Sequence, residues 1–511
     1  MSFLDREKTI APLQFNRWLI PPAALTVHLS IGQIYAYSVF NAPLTKVIGI
    51  TQSAADDWKL TTIGWVFSIA LAVLGASAAL FGTWMERVGP RKAIFVATIC
   101  FSLGFLVAAF GVHTHNLWLL YLGNGVLGGI GLGLGYIGPV STLIKWFPDK
   151  PGMATGLAIM GFGGGAMLAS PISVALMDFF SSPTSIGIIE TFIVLGVFYF
   201  IFMMFGVFTI RLPHPEWKPK GFVDNKPKNK LVSSYNVGVN KAMKTPQFWL
   251  LFWILCLNVT AGIGVLGQAS VMIQELFSEI SVGKQAISTL AAAGFVGLLS
   301  LFNMGGRFFW SSISDKIGRK NLYSIFFLLG SVLYFAVPSL GESGNKALFV
   351  VGFCVIISMY GGGFAAIPAY LRDLFGTYQV GAIHGRVLLA WSTAAVAGPV
   401  LVNYIRQMQI DSGVPAAQAY SITMYIMAAL LIVGFFCNLS VKAVHEKHHE
   451  LPIKEAAHSA KPSDETVISD TYLVAEEVAH GGCMVWLRWI IVTIPLVYGI
   501  IMVFAKVVEL F

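Results

Sequence analysis

Long apolar runs, one after another, constrain this chain more than any other feature of its sequence. Of its 511 residues, 56% are hydrophobic and only 11% are charged, whereas about 25% of the residues of a typical soluble domain are charged. A helix needs about 20 mostly apolar residues to cross a bilayer. Because lipid cannot satisfy the open edge of a sheet, the sequence predicts an all-α polytopic membrane protein.

Thirteen apolar runs are candidate membrane-spanning helices. They cover residues 18–43, 61–82, 93–112, 117–144, 153–177, 186–210, 247–273, 286–313, 322–339, 347–370, 382–404, 419–441 and 484–507. The predicted organisation is an N-terminal six-helix half (1–212), a cytoplasmic central loop (213–245), a C-terminal six-helix half (246–441), a cytoplasmic tail (442–482) and an additional transmembrane helix (483–511).

Basic residues indicate which side of the membrane each loop faces. The central loop holds seven lysines against two acidic residues, and the turns at 86–92, 145–150 and 315–320 are also rich in Lys and Arg. Cytoplasmic loops carry such an excess, so we expect the N-terminus, the central loop and the tail to be cytoplasmic. The net charge of +8 has the same origin, and no nucleic-acid partner is predicted.

Three patterns that suggest other chemistry have simpler explanations. The five cysteines lie in or beside apolar runs without paired spacing, so no disulfide framework is expected. Residues 133–138 match G-x-G-x-x-G, but inside an apolar run that follows no strand. Residues 445–449 match the HExxH motif of zinc proteases, but in a charged tail without an evident third ligand. We therefore predict neither an enzyme nor a bound metal or cofactor.

The two halves share an internal repeat at an offset of 229 residues. The matched pairs are Glu86 with Asp315, Gly89 with Gly318, Gly133 with Gly362, Pro139 with Pro368, Gly152 with Gly381, and Gly156 with Gly385. Six matches in register indicate a duplication. Duplicated six-helix halves with a binding site near the midplane are an architecture of secondary transporters.

Two copies of one loop motif occupy equivalent places in the halves. GTWMERVGPRK (82–92) and SSISDKIGRK (311–320) resemble the signature loop of the major facilitator superfamily. An acidic residue there pairs with cations at a cytoplasmic interface and latches one conformation. The resemblance implies gating roles for Glu86, Arg87, Arg91, Asp315 and Arg319, with latches at Glu86–Arg91 and Asp315–Arg319. The departures from the pattern are Glu86 for Asp, an inserted Pro90, and Ser311 for the first Gly.

Three further stretches resemble the oxalate–formate antiporter branch, whose near relatives are the monocarboxylate transporters. They are GQIYAYSVFNAPL (32–44), KWFPDKPGMATGLAIMGFGGG (145–165) and FNMGGRFFWSSISDKIGR (302–319). The resemblance extends over about residues 15–441 and implies the major facilitator fold. It also implies alternating-access transport of small carboxylate anions in a multi-pass membrane protein, which we expect in the bacterial inner (plasma) membrane.

Arg307 is the candidate substrate ligand. It lies eight residues before Asp315, roughly 12 Å along a helix from the basic end. A lone cation near mid-membrane costs about 2.5–3.5 kcal/mol on insertion scales, and the alternative to a functional role is an interfacial arginine that reaches toward water. A guanidinium matches a carboxylate in shape, and the resemblance places the substrate-binding arginine here. Asn303, one turn earlier, is a candidate hydrogen-bond donor.

Positions that are charged in the resembling families are uncharged here. The resemblance implies a second cation three residues after a tryptophan, but Trp391 is followed by Ala394 at that position. The acid and the lysine of animal monocarboxylate transporters are replaced by Asn303 and Val39. One cation neutralises one carboxylate, so we expect a monocarboxylate such as formate, lactate or pyruvate. Proton symport and oxalate–formate type exchange with a counter-anion both stay open.

Aromatic and amide side chains complete the candidate site, because hydroxyl, indole and amide groups offer hydrogen bonds from an apolar wall. The expected substrate-binding residues, besides Arg307 and Asn303, are Tyr35, Trp391, Gln33, Tyr136 and Tyr360. Further candidates are Tyr37, Phe364, Asn258, Gln268 and His28, the last being either titratable or simply packed. An alternative function is a transporter-like anion sensor that signals through the C-terminal tail.

Overall fold

The computed structural model describes residues 3–219, 231–233, 235–266, 268–277, 289–415, 418–450 and 482–507. Each of the thirteen predicted runs contains a helix in this part of the chain. These helices are α1 (Ile20–Ile31), α2 (Leu60–Val88), α3 (Pro90–His113), α4 (Leu117–Trp146), α5 (Pro151–Phe180), α6 (Ile188–Thr209), α7 (Pro246–Leu266), α8 (Thr289–Ile317), α9 (Arg319–Glu342), α10 (Lys346–Phe375), α11 (Val380–Asp411), α12 (Ser421–Leu439) and α13 (Gly482–Val507).

Eleven of the described helices are long and apolar enough to cross a membrane by themselves. The other two are α1, which is 12 residues long, and α8, which carries Arg307. Large apolar side chains such as Ile201, Val332 and Phe335 are exposed on the outer surface of the bundle, as a surface that faces lipid requires. The predicted fold class, an all-α polytopic membrane protein, is confirmed.

Two predicted spans change their helical geometry partway. The first continues from α1 as a 3-10 helix, Gly32–Phe40, and then a short α-helix, Asn41–Leu44. The seventh ends α7 at Leu266 and resumes as Ala269–Leu276. In a membrane, irregular backbone is tolerated where it is buried in protein or lines a water-filled cavity. Many residues of both segments are buried in the protein, and the 3-10 segment carries Gln33 and Tyr35.

The internal repeat is present in the backbone geometry. Gly89, between α2 and α3, has φ +88°, and its partner Gly318, between α8 and α9, has φ +83°. Positive φ values of this kind favour glycine, which has no Cβ to clash. The same sharp turn therefore occurs once in each half.

The two halves meet along two helix pairs that the repeat relates to each other. α2 packs along α11, and α5 packs along α8. Ser392 of α11 donates a hydrogen bond to the carbonyl oxygen of Leu71 in α2 at 2.6 Å. Together these pairs hold the halves against each other and bring residues of both halves to the centre of the bundle.

The additional helix α13 contacts both halves. Its Val503 packs with Met167 of α5 and Met304 of α8. Near its start, Arg488 Nη1 donates to the carbonyl oxygen of Leu19, just before α1, at 3.2 Å. Parts of the predicted central loop (220–230 and 234) and most of the predicted tail (451–481) lie outside the described residues, so the division into five segments stays a prediction.

Candidate functional site

Arg307 lies in α8 where this helix crosses α5. Two glycines of α5 make the close crossing feasible: a Cβ at Gly156 would lie 2.6 Å from the Arg307 carbonyl oxygen, and one at Gly163 would lie 2.9 Å from Arg307 Nε. The Arg307 side chain is 0% exposed. The repeat offset of 229 residues matches Arg307 to Ala78, so this cation breaks the symmetry of the two halves.

The guanidinium of Arg307 is only partly satisfied by the protein. Its Nε donates to Asn303 Oδ1 at 3.1 Å and its Nη1 to the Ile159 carbonyl oxygen at 3.2 Å. Its Nη2 has no hydrogen-bond partner in the described part of the chain. None of the acidic side chains in that part forms an ion pair with it. A buried cation with a free donor edge is chemically suited to an anion, because an anion would supply the missing charge and hydrogen bonds.

Three aromatic rings surround the guanidinium. Its central carbon lies 5.1 Å from the ring centroid of Phe364, 5.6 Å from that of Phe162 and 6.0 Å from that of Tyr35. Cation–π attraction contributes about 0.5–2 kcal/mol per well-placed pair. The rings stabilise the charge without neutralising it, so the capacity to bind an anion is kept. Phe162 was missed by sequence reasoning, although it stands inside the quoted glycine-rich motif.

Four polar aromatic side chains are held around the same rings. Tyr35 and Trp391 contact Phe162 at centroid distances of 5.1 and 6.2 Å, and Tyr136 contacts it at 5.6 Å. The hydroxyls of Tyr35, Tyr136 and Tyr360 and the indole nitrogen of Trp391 are buried outside good hydrogen-bond geometry with any described partner, and Tyr360 lies beside both Tyr35 and Trp391. A buried polar group left unpaired costs about 1–3 kcal/mol. These four side chains therefore offer hydrogen bonds to a polar ligand or to water.

The structure distributes the remaining amide candidates differently. Gln33 is 1% exposed, and its Nε2 has no partner among the described residues. Asn303 is used to orient Arg307, since its oxygen accepts from Nε. Asn258 lies against Gly363 and lines a narrow cleft with Tyr360. The hydroxyl of Tyr37 is already paired, because its oxygen accepts a hydrogen bond from Asn124 Nδ2 at 3.3 Å.

Two buried histidines flank Tyr136. The ring of His28 is stacked on Tyr136 at 5.2 Å, with Nδ1 2.6 Å from the Ala158 carbonyl oxygen and Nε2 3.2 Å from the Tyr136 carbonyl oxygen. His384 of α11 lies 5.6 Å from the same ring, and its Nε2 has no partner in the described part of the chain. His384 was missed by sequence reasoning, because nothing in its local sequence suggests that it meets α4.

The gating candidates lie at the end of the bundle where α2 and α8 end. Glu86 of α2 accepts hydrogen bonds from Ser141 Oγ at 2.9 Å, from Lys145 Nζ at 2.6 Å and from the backbone amide of Gly381 at 3.1 Å. Since Gly381 is in the first turn of α11, the carboxylate also meets the positive end of that helix dipole. Glu86 thereby connects the two halves.

Asp315 forms the matching contact from the C-terminal half to the N-terminal half. Its two carboxylate oxygens accept from the backbone amides of Gly152 and Met153 at the start of α5, both at 2.8 Å. The predicted ion pair with Arg319 is present at 2.6 Å. Arg319 Nε also lies 3.3 Å from Asp373 of α10, a residue that sequence reasoning missed. The result is a buried, charged cluster between the halves.

The predicted Glu86–Arg91 latch was wrong. Arg91 Nη2 donates instead to the carbonyl oxygen of Ile210, after α6, at 3.1 Å. Lys320, its match in the repeat, likewise donates to Leu439 at the end of α12 at 2.7 Å. Because Pro90 is inserted before it, Arg91 lies one residue further along α3 than the motif arginine would. It therefore contacts the chain after α6, in its own half, instead of Glu86. The partner of Glu86 is Lys145, and Arg87 is exposed.

Repeated six-helix halves, a buried cation between them and charged contacts at one end define a class of polytopic membrane transport proteins. The chain belongs to the Major Facilitator Superfamily, which it matches over residues 13–399. It is 25% identical to the oxalate:formate antiporter of Oxalobacter formigenes, over 75% of this chain and 83% of that protein. It is 24% identical to apicoplast pyruvate carrier 1 of Toxoplasma gondii, over 78% of each chain.

A solved structure shows the same fold. The crystal structure of the Major Facilitator Superfamily transporter FucP in the outward conformation superposes with a TM-score of 0.57 at 12% identity, covering 83% of this chain and 99% of FucP. At that identity the similarity concerns the fold alone. The major facilitator fold implied by the sequence resemblance is confirmed.

Proposed function

We propose that this protein is a secondary transporter that moves small monocarboxylate anions by alternating access. The observation that carries the proposal is the state of Arg307: fully buried, with Nη2 unpaired and no acidic partner in the described part of the chain. A carboxylate is the chemical group that best complements a guanidinium edge. The relatives named as an oxalate:formate antiporter and a pyruvate carrier support the same class of substrate.

The charge of the site favours a monovalent substrate. Ala394 stands three residues after Trp391, and both are 0% exposed in α11. With Arg307 as the cation of the site, a monocarboxylate such as formate, lactate or pyruvate is neutralised on binding. A dicarboxylate such as oxalate would leave one charge in a poorly hydrated cavity, which is costly.

Alternating access would use the contacts of Glu86 and Asp315. In this structure both carboxylates bind the opposite half at one end of the bundle. We place this end at the cytoplasm because of its basic loops. Releasing these contacts would let the halves rock and open the site toward that side, while contacts at the other end close.

Two modes of coupling fit this site. Exchange of one carboxylate for another is supported by the antiporter relative. Symport with a proton is supported by His28 and His384, two buried imidazoles on either side of Tyr136. Ionisable groups within membrane-spanning helices are rare and often belong to proton or substrate pathways. A proton on either imidazole would raise the positive charge near the carboxylate site.

Counterflow in proteoliposomes tests the proposal. Purified protein is reconstituted with an internal monocarboxylate, and uptake of labelled formate, lactate, pyruvate and oxalate is measured. Uptake of at least one monocarboxylate is expected. Binding without flux would support the sensor, and neither binding nor flux of any carboxylate would refute the proposal. Repeating uptake with and without an imposed pH gradient distinguishes proton symport from exchange.

A further inference from the structure

A cavity of about 280 Å³ lies between the halves at the end away from Glu86 and Asp315. It is lined by residues of α8 from Gly294 to Ser300, whereas Asp315 is near the other end of α8. The 15 residues from Ser300 to Asp315 correspond to about 22 Å of helix. The cavity is therefore on the side of Arg307 that is opposite to the gates.

Tyr35 connects this cavity to the candidate substrate site. It is a lining residue of the cavity, and its ring centroid is 6.0 Å from the guanidinium carbon of Arg307. Ser300, another lining residue, is seven residues before Arg307, which is two turns or about 10 Å along α8. An anion in the cavity would thus be one side chain away from Arg307.

Of the described residues that line the cavity, Lys506 is the one with a charge. It belongs to the last turn of α13 and is half-buried. One turn earlier, Val503 packs between Met167 of α5 and Met304 of α8. This packing fixes the position of the helix, and the flexible stem of the lysine lets its ammonium group follow a ligand.

We propose that Lys506 and the neighbouring serines form an outer binding site that collects monocarboxylate anions before they pass Tyr35 and reach Arg307. The inference rests on the proposed function and deepens it. Ser38, Ser170 and Ser270 also line the cavity, and serine hydroxyls can donate hydrogen bonds to a carboxylate. The additional helix therefore contributes a cation to the substrate path of the transporter.

The physical reason is that Lys506 concentrates anions at the mouth of the path. A cavity with low-dielectric walls and one sign of charge raises the local concentration of the opposite ion, and association rates rise by about 10–1,000-fold. Salt weakens this attraction, because the Debye length is about 8 Å at physiological ionic strength and becomes shorter as salt is added. The contribution of Lys506 should therefore appear in the apparent KM and decrease as salt is added.

The test is uptake of labelled formate, lactate and pyruvate by intact cells that express the transporter. Lys506→Ala is expected to raise the KM on the order of tenfold at low ionic strength, the lower end of the steering range, with the maximal rate unchanged. Lys506→Glu should raise the KM further, and Lys506→Arg should keep it near the wild-type value. High salt should bring all variants closer to the wild type.

Lys346 provides a matched control. It is at the start of α10, at the same end of the bundle, and it is outside the described lining of the cavity. Lys346→Ala removes the same charge and should leave the KM unchanged. A wild-type KM in both Lys506→Ala and Lys506→Glu would overturn the inference while leaving the proposed function intact. An equal rise in Lys506→Ala and Lys506→Arg would also overturn it, because it would indicate packing. A wild-type protein without carboxylate uptake would refute both proposals.

Discussion

Glu86 and Asp315 bind the amino ends of helices in the opposite half of the molecule. Glu86 accepts from the amide of Gly381 at the start of α11, and Asp315 accepts from the amide of Gly152 at the start of α5. The repeat matches the two acids to each other and the two glycines to each other. The same contact thus occurs twice. Each carboxylate is stabilised by the positive end of a helix dipole as well as by hydrogen bonds.

Asp315→Asn should weaken the contact between the halves at this end. Hydrogen bonds to a charged group contribute about 1.5–3 kcal/mol, so the ratio of closed to open molecules should fall roughly tenfold or more. Spin labels at positions 150 and 378, both exposed on opposite halves, report the change as a longer distance. Glu86→Gln should act in the same direction.

The exposed Lys316 is a suitable control for the distance measurement. It is the neighbour of Asp315, and Lys316→Gln changes charge at the same end of α8 without touching the hydrogen bonds to α5. It should give the wild-type distance. Wild-type distances in both Asp315→Asn and Glu86→Gln would show that these contacts do not hold the halves together.

A truncation that ends before residue 483 should leave transport measurable. The two six-helix halves end with α12 at Leu439 and are complete without α13, which begins at Gly482. Removing α13 also removes Lys506, so the KM for a monocarboxylate should rise while flux persists. Uptake by the truncated protein, normalised to its amount in the membrane, is the measurement. Complete loss of transport in a correctly inserted truncation would show that α13 is essential to the cycle.

The helices and the principal cation were predictable because their signals are local. Apolar length is enough to place a span in lipid, and a lone arginine in such a run is costly enough to be a candidate functional residue. The Asp315–Arg319 pair was likewise predictable, since residues four apart share a helix face.

The partners of the site residues depend on tertiary packing, which single-sequence patterns do not encode. Lys145 reaches Glu86 from α4, Asp373 reaches Arg319 from α10, and His384 reaches Tyr136 from α11. The 3-10 segment that carries Tyr35 was also missed, because its composition is as apolar as that of a regular helix.

Ala394→Lys should shift the substrate preference toward oxalate. A second cation on α11 would pair with the second carboxylate, which Arg307 by itself leaves without a charge partner. The expected cost is weaker transport of monocarboxylates, since an unpaired cation then stays in the cavity. Competition of labelled uptake by oxalate and by formate, in both proteins, measures the shift. Strong competition by oxalate in the wild type, unchanged by the lysine, would refute the argument that the charge of Arg307 selects a monovalent substrate.

Asn303→Asp should suppress anion binding. The side-chain oxygen of residue 303 accepts from Arg307 Nε at 3.1 Å, so a carboxylate there would form an ion pair with the substrate ligand. A substrate anion would then compete with a fixed one, and affinity should fall by tenfold or more, since 1.4 kcal/mol is about tenfold. Asn303→Ala should have a smaller effect, because it removes an orienting bond without adding charge. Unchanged affinity in Asn303→Asp at a pH where the new carboxyl group is ionised would mean that substrate binds elsewhere.

Counterflow with Arg307 variants tests the central claim most directly. Arg307→Ala should abolish carboxylate counterflow, and Arg307→Lys should transport poorly, because it keeps the charge but loses the planar two-donor edge. Arg386→Ala is the control, since Arg386 donates to Asn240 in the short helix Val239–Ala242 before α7, and this variant should transport like the wild type. Membrane insertion and thermal stability are measured for each variant. The account predicts loss of counterflow in a folded Arg307→Ala protein, and normal counterflow in that protein would contradict it.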